Sequence, residues 1–330
     1  MKQEGAAANV LQEEEVQPSS SIKELRNKDP LDEERVVKKQ KLIKKMKPLF
    51  FIGPALLIYL FVVAGPAIYT FYLSFFQTNG VSAAGKVFVG FGNYIELFVN
   101  DSVFLKSFTN NIIWTVCSLA FNLTFALLIA LLLNKSFRGR TVFRAVFYFP
   151  FILSNIVVAM IWVWMYHPNI GLFNEILNTL GLPSVGWLSN PDFALFSVFA
   201  ASSWQHVGSS MIIFLAGLQT IPKEPYESAK VDGANSFQAL THITLPLLRE
   251  TYIIVFATTL FYSMRVFDII YAMTGGGPSQ STQVLGSWMY YQTFNLNNVG
   301  IGSAISVILL IVVMIVAVPY ILWQQKKSHV

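Results

Sequence analysis

Two charged residues, Arg265 and Asp268, stand inside an otherwise apolar stretch and are the first candidates for chemistry in this chain. A spacing of three places them on one face of a helix, close enough to form an ion pair. Ionisable groups in an apolar environment are costly and are functional candidates by default. Two interpretations stay open: a mutually neutralising structural pair that faces other helices, or a polar lining along a path for a small molecule.

Motifs for bond cleavage and nucleotide binding are absent from the sequence. The four histidines show no metal-ligand spacing, and neither HExxH nor GxSxG occurs. Lys86 follows Gly85 but precedes Val87, so there is no phosphate-binding GxxxxGK(S/T) loop. The single cysteine, Cys117, excludes a disulfide framework and a multi-cysteine metal site. We therefore expect no enzyme activity, no metal and no cofactor in this chain.

The composition indicates an integral membrane protein. Of the 330 residues, 54% are hydrophobic and only 12% are charged, about half the charged fraction of a soluble domain. Residues 1–47 contain 20 of the 41 charged residues. The excess positive charge lies beside apolar segments, where anionic lipid accounts for it better than nucleic acid does.

Six apolar windows are long enough to cross the roughly 30 Å core of a bilayer; they cover residues 49–75, 109–133, 143–166, 194–219, 251–273 and 302–323. Fifteen lysines and arginines lie beside the loops and termini of one side, against Lys86 and Lys106 on the other. The positive-inside rule then predicts an all-α membrane protein with six transmembrane helices and both termini in the cytoplasm.

These windows set the predicted domain organisation. Residues 1–47 form a cytoplasmic tail that is disordered at first and then a basic helix. Residues 48–106 hold the first transmembrane helix and an external loop, and residues 107–323 hold the five-helix core. Residues 324–330 form a cytoplasmic end.

The loop at residues 221–250, between the fourth and fifth windows, is the most informative segment. Pro222, Glu224 and Glu227 suit the first turn of a short helix that ends near Asp232.

A turn and a second short helix are predicted to follow it. Gly233 permits the turn, Ser236 can cap the second helix, and Pro246 restricts the backbone before the fifth window. Membrane insertion requires no such elbow, so we expect a protein partner on the cytoplasmic face.

This loop resembles the EAA loop of permease subunits of binding-protein-dependent ABC importers. The family pattern is Glu-Ala-Ala, three residues, Gly, nine residues, Ile, one residue and Leu-Pro, with an Asp-Gly-Ala around the glycine. Only the first alanine departs from it, as a serine of similar size. The matching residues are Glu227, Ser228, Ala229, Asp232, Gly233, Ile243, Leu245 and Pro246.

A second segment, FDIIYAMTGGGPSQST at residues 267–282, resembles the signature of the carbohydrate-uptake branch of this family. Residues 187–195 and 214–222 show the same likeness. The resemblance covers roughly residues 50–325 and is to maltose-type and multiple-sugar permeases, most closely to the shorter six-span subunits. It implies the type I ABC importer permease fold.

The resemblance also implies a setting and partners. The chain would be a non-enzymatic transport subunit in the cytoplasmic membrane of a prokaryote. It would pair with a second permease, with two ATPase subunits that bind ATP and Mg²⁺, and with an extracytoplasmic sugar-binding protein. Gly276, Gly277 and Pro278 would form either a flexible connector or a surface that meets the binding protein.

A path for a sugar would use polar and aromatic residues of the spans, since aromatic faces stack on sugar rings and amides bond to hydroxyls. The asparagines could instead join helices by hydrogen bonds. The candidates are Asn122, Asn155, Trp162, Tyr262, Arg265 and Asp268.

Two alternatives stay open. An ion-coupled secondary carrier is compatible with six spans and a charge pair, although no internal repeat is evident and the elbow would be unexplained. A permease of the same family could also carry a sugar phosphate such as glycerol phosphate, with Arg265 facing the anion.

Overall fold

The computed structural model describes residues 52–80 and 85–328, with side chains up to residue 322. The predicted tail at residues 1–47 lies outside this range. The chain divides into two compact units at Ala67. The described part of the first unit is the beginning of a helix whose Leu57 and Phe61 are 68% and 86% exposed, as expected of side chains that face lipid.

Helices form most of the described chain because its apolar runs have few glycines and prolines inside them. A two-residue antiparallel hairpin pairs β1 (Phe76–Gln77) with β2 (Val87–Phe88). The helices are α1 (Ile52–Leu73), α2 (Gly92–Val99), α3 (Ser102–Asn134), α4 (Arg140–Ile152), α5 (Asn155–Met165), α6 (Leu172–Thr179), α7 (Pro191–Thr220), α8 (Glu224–Val231), α9 (Ser236–Leu247), α10 (Arg249–Met264), α11 (Asp268–Thr274), α12 (Leu285–Tyr290) and α13 (Val299–Ser328).

Within the described ranges, three helices are long and apolar enough to cross a membrane: α1, α3 and α13. The number rises to five if the bent pairs α4–α5 and α9–α10 each count as one span. Helix α7 has 30 residues, about 45 Å of helix, but is not among them. All six predicted windows overlap helices, while the count of six spans stays a prediction.

The third window, residues 143–166, is not the single straight helix expected. Helices α4 and α5 meet at 102°. Pro150 removes a backbone donor near the end of α4, and Ser154 starts α5 by accepting a hydrogen bond from Val157 N at 3.4 Å. Gln205 of α7 donates to Leu153 O at 2.9 Å. The break therefore persists because a neighbouring helix pairs with the backbone group it frees.

The fifth window, residues 251–273, is also interrupted. Helix α10 ends at Met264 and α11 begins at Asp268. Asn111 of α3 donates to Met264 O at 3.3 Å and accepts from Leu285 N at 3.3 Å. Arg265 lies in the break, so it does not share a helix face with Asp268 as expected.

Helices α3, α7 and α10 form the centre of the larger unit. Gly208 and Gly217 of α7 allow close packing, since a Cβ there would lie 2.0 Å from Phe147 O of α4 and 2.1 Å from Thr251 Oγ1 of α10. Half of α7 is buried, polar side chains included. A helix that faces protein on most sides needs less hydrophobicity than one that faces lipid, which explains its low hydropathy.

Candidate functional site

The elbow begins with helix α8 and a closed turn. Helix α8 starts at Glu224, two residues after Pro222, with Pro225 in its first turn. At its end, Gly233 (φ +77°) donates to Lys230 O at 3.2 Å, and the next amide, that of residue 234, donates to the carbonyl of residue 229 at 2.9 Å. This pair of bonds is the Schellman arrangement, which requires a left-handed residue at the Gly233 position.

Helix α9 is capped by Asn235, so the expectation of a Ser236 cap is wrong by one residue. Asn235 Oδ1 accepts from Gln238 N at 2.9 Å, and Gln238 Oε1 accepts from Asn235 N at 2.8 Å. The reciprocal bonds satisfy two free amides at the start of α9. Asparagine caps a helix at least as well as serine. The sequence alone did not show which residue begins the first turn of α9.

Two contacts make the elbow stiff. The hydroxyls of Tyr226 in α8 and Thr244 in α9 are 2.9 Å apart. Leu245 packs against the core cluster that contains the fully buried Leu248. A π turn at Leu240–Thr244 precedes Pro246, where a wider turn accommodates the proline ring.

The surface of the elbow is open. No residue of α8 is buried, and Val231 and Phe237 are 88% and 72% exposed. Glu227 and Ser228 lie on the exposed face of α8. A cavity of about 410 Å³ brings predicted residues together with new ones; its lining is Ala229, Asp232, Gly233, Ala234, Gln238, Ala239, His242 and Ile243.

The breaks in the third and fifth windows meet through a hydrogen bond. Asn155 Nδ2 at the start of α5 donates to Asp268 Oδ2 at the start of α11, at 3.0 Å. In the described part of the chain, Asp268 makes no ion pair with Arg265, and both side chains are exposed. The prediction of a charge pair is therefore wrong. The helix ends between the two residues, and Asn155 binds the carboxylate of Asp268.

Tyr262 lies beside a residue that was not predicted. Its ring lies against that of His206 in α7, with centroids 3.9 Å apart and planes tilted by 32°. His206 Nδ1 is 2.9 Å from Ser202 O. Because a carbonyl only accepts, Nδ1 carries the proton and leaves Nε2 of the neutral ring as an acceptor. The sequence offered one indication of this contact, because Gln205 and His206 are polar residues inside the apolar window 194–219.

Asn122 and Trp162 occupy other surroundings. Asn122 is buried and donates to Ser118 O of its own helix at 3.0 Å. Trp162 packs against Tyr166 and Phe173, with ring centroids at 5.3 and 5.7 Å. Among the predicted path residues, a hydrogen bond joins Asn155 with Asp268.

The glycine-rich segment after α11 forms a hydrogen-bonded turn. Gly275 (φ +59°) ends the helix, and the Gly276 amide donates to Thr274 Oγ1 at 3.3 Å. Thr282 Oγ1 donates to Gly277 O at 2.7 Å and lies 2.8 Å from Thr274 Oγ1.

Tertiary contacts hold this turn in place. Gly276 is buried, and a Cβ on it would lie 2.1 Å from Gln283 Nε2. Asn110 Nδ2 of α3 donates to Ser281 O and Gln283 O, both at 2.8 Å. Pro278 is half-buried. The contact of Gly276, Gly277 and Pro278 with a binding protein stays a prediction.

Known proteins resemble this chain over most of its length. The family described as "Binding-protein-dependent transport system inner membrane component" matches residues 122–325. A probable ABC transporter permease protein of Pyrococcus horikoshii is 35% identical over 283 residues, 85% of this chain and 96% of the relative. The trehalose/maltose transport system permease protein MalF of Thermococcus litoralis is 35% identical over 270 residues, 82% of this chain and 90% of the relative.

A solved structure shows the same fold. It is the crystal structure of a bacterial alginate ABC transporter in complex with an alginate pentasaccharide-bound periplasmic protein. One of its chains aligns with a TM-score of 0.72 and 25% identity, over 85% of this chain and 94% of that chain. The helical architecture is thus the type I ABC permease fold. The family match covers more than half of the chain, so the chain belongs to the inner-membrane components of binding-protein-dependent transport systems, as a multi-pass transport subunit and not an enzyme.

Proposed function

We propose that this chain is the transmembrane subunit of an ATP-driven importer that moves a sugar or oligosaccharide across the cytoplasmic membrane of a prokaryote. It crosses the membrane six times with both termini in the cytoplasm. It pairs with a second permease and two ATPase subunits and receives its solute from an extracytoplasmic sugar-binding protein. The names of its trehalose/maltose and alginate relatives support a carbohydrate solute.

The exposed elbow is the observation that carries coupling to an ATPase. Val231 and Phe237 place large apolar side chains in water beside a cavity of about 410 Å³. Exposed apolar groups around a concave surface are typical of a protein interface. The stiff link between Tyr226 and Thr244 allows α8 and α9 to move as one body under a partner.

Helix α10 connects this interface to the candidate solute residues. It runs 16 residues from Arg249 to Met264, about 24 Å, with Leu248 anchored in the core at its start. Tyr262 and the break at Arg265 lie at its far end. A displacement of the elbow on ATPase closure would therefore move Tyr262 against His206 and the Asn155–Asp268 bond, which suits alternating access by rigid-body motion.

The coupling proposal is tested by purifying the complex from cells that co-express the ATPase and second permease of the same transport system. Phe237→Asp and Val231→Asp each place a charge in the proposed interface. Leu180→Asp is the matched control, since Leu180 is 68% exposed and lies outside the elbow. We expect the elbow variants to lose co-purifying ATPase and ATP-dependent uptake of labelled maltose or trehalose by more than tenfold. Full retention of both would overturn the assignment of the interface.

An acidic sugar or sugar phosphate is a second candidate solute, favoured by Arg265. Its guanidinium is exposed and makes no ion pair among the described residues, while Asn155 binds the neighbouring Asp268. A cation at this depth gains most from an anionic partner. Because Arg265 and Asp268 do not form the predicted ion pair, the main support for an ion-coupled carrier is removed.

Charge selectivity separates the two solute classes. Arg265→Gln is expected to reduce uptake of an alginate oligosaccharide or glycerol phosphate by at least tenfold and to leave maltose uptake within twofold. Asp268→Asn is the control for a change of charge at the same break. Equal effects of Arg265→Gln on neutral and anionic probes would count against the acidic candidate.

A further inference from the structure

Four aromatic rings form an outer aromatic cluster beyond the break in the fifth window: Phe267, Tyr271, Tyr290 and Phe294. Phe267 stacks on Tyr271 with centroids 5.4 Å apart, and Tyr271 lies 5.0 Å from Tyr290. Phe294 continues the group at 4.9 Å from Tyr290. Interaction with the nearby Tyr271 hydroxyl raises the pKa of Tyr290 above its ordinary value. Tyr271 and Phe294 are 46% and 65% exposed.

A cavity of about 380 Å³ opens beside this cluster, within the size range of small-ligand pockets. Its lining combines three tyrosines with amide and hydroxyl groups. Asn295, in the π turn Tyr291–Asn295, is exposed and its amide makes no hydrogen bond within the described ranges. The lining residues are Tyr271, Gly275, Ser287, Tyr290, Tyr291 and Asn295.

The chemistry of this cavity differs from that of a surface facing lipid. A groove of similar size, about 370 Å³, lies between α3, α10 and α13, and the surface it exposes is apolar. Its lining residues are Leu123, Arg249, Tyr252, Ile253, Phe256 and Tyr320. An acyl chain needs no polar partner there. The cavity at Tyr271 instead offers ring faces next to hydroxyls and a free amide, the combination that suits the apolar face and the hydroxyl rim of a pyranose ring.

We propose that the outer aromatic cluster and Asn295 form an entry subsite for one or two pyranose units, separate from Tyr262 and His206. A sugar released at the outer mouth would stack on Tyr271 and Tyr290 and bond to Asn295. Phe267 adjoins the break at Arg265, so the subsite leads toward the candidate path. This assignment rests on the proposed import of a sugar.

Uptake by the reconstituted importer, with its ATPase, second permease and binding protein, tests the subsite. Tyr271→Leu and Tyr290→Leu are expected to lower the initial rate of labelled maltose or trehalose uptake about tenfold, the loss of one good aromatic contact. Tyr290→Phe keeps the stacking face and should recover most of the rate. Phe98→Leu is the control, since Phe98 is an external aromatic, 51% exposed.

Saturation-transfer NMR of maltose and trehalose on the assembled importer in nanodiscs supplies a second readout. A sugar signal that is lost in Tyr290→Leu and kept in Tyr290→Phe and Phe98→Leu would support the subsite. Uptake by both leucine variants within twofold of wild type would overturn it, as would an unchanged sugar signal in Tyr290→Leu. A wild-type importer that takes up neither these sugars nor an alginate oligosaccharide would refute the proposed function, and the subsite with it.

Discussion

Gly233 of the elbow and Gly276 of the outer turn each lie just after a short helix, and both belong to motifs visible in the sequence. Different interactions hold the two glycines in their backbone conformations. Gly233 has a positive φ of +77°, yet a Cβ on it would meet nothing within 4 Å. Gly276 has a φ of +93°, and its Cβ would collide with Gln283. The elbow is thus shaped by local bonds, and the outer turn is shaped by contacts with the rest of the fold.

This difference separates a segment that is exposed from one that is packed into the core. Thr282 and Gln283 of the outer turn are buried, so a change there should first damage folding. Val231 and Phe237 of the elbow are mostly exposed, so a change there should leave the subunit folded and affect assembly. Substitution of a glycine is therefore expected to have different consequences in the elbow and in the outer turn.

Gly276→Ala should have the largest effect on stability. The new methyl group meets Gln283 in a backbone conformation that L-residues avoid, at a combined cost of about 3–5 kcal/mol. Thermal unfolding in detergent and the yield of monodisperse protein would show the loss. A Gly276→Ala variant with wild-type stability would contradict the tertiary origin of this turn.

Asn110→Ala should destabilise the outer turn by about 2–3 kcal/mol, because two carbonyls lose their donor. Asn100→Ala is the matched control: Asn100 is exposed and its side chain bonds to the nearby Glu96, so its loss should cost less than about 0.5 kcal/mol. Equal unfolding temperatures for the two variants would argue against the anchoring role of Asn110.

Gly233→Ala should cost about 1 kcal/mol of stability through its positive φ alone. Gly181→Ala is the control with the same backbone strain, since Gly181 has a φ of +72° and a Cβ on it would meet nothing within 4 Å. We expect both variants to fold with similar unfolding temperatures, but only Gly233→Ala to lose ATPase on purification. Loss of ATPase from both variants would show that general destabilisation is responsible.

Asn235→Ala should have the smallest effect, about 0.5 kcal/mol, because it removes an exposed cap at the start of α9. A frayed α9 is expected to weaken ATPase binding about twofold in a pull-down titration. Asn235→Ser restores a capping oxygen and should recover wild-type binding. If serine behaved like alanine, the reciprocal bonds with Gln238 would not be what orders the elbow.

The elbow could be predicted closely because its determinants are near neighbours in sequence. Helix α8 ends one residue before Asp232, and Gly233 makes the turn as expected. The region around the two helix breaks could not be predicted in the same way. The partners of its polar groups lie far along the chain: Asn155 bonds to Asp268, and Gln205 bonds to Leu153 O. A spacing of three suggested a charge pair only because the helix was assumed to continue.

Membrane insertion and the helical segments follow from the sequence alone, since hydrophobic runs, helix ends and turn residues act over a few positions. The docking of a partner at the elbow is predicted from the same local patterns. Tertiary structure alone decided where the helices break, because a freed backbone group in an apolar surrounding is tolerated only when another helix supplies its hydrogen bond. It also brought His206 to Tyr262 and Gln283 to Gly276. Such contacts depend on how α3, α7 and α10 pack, which no local pattern records.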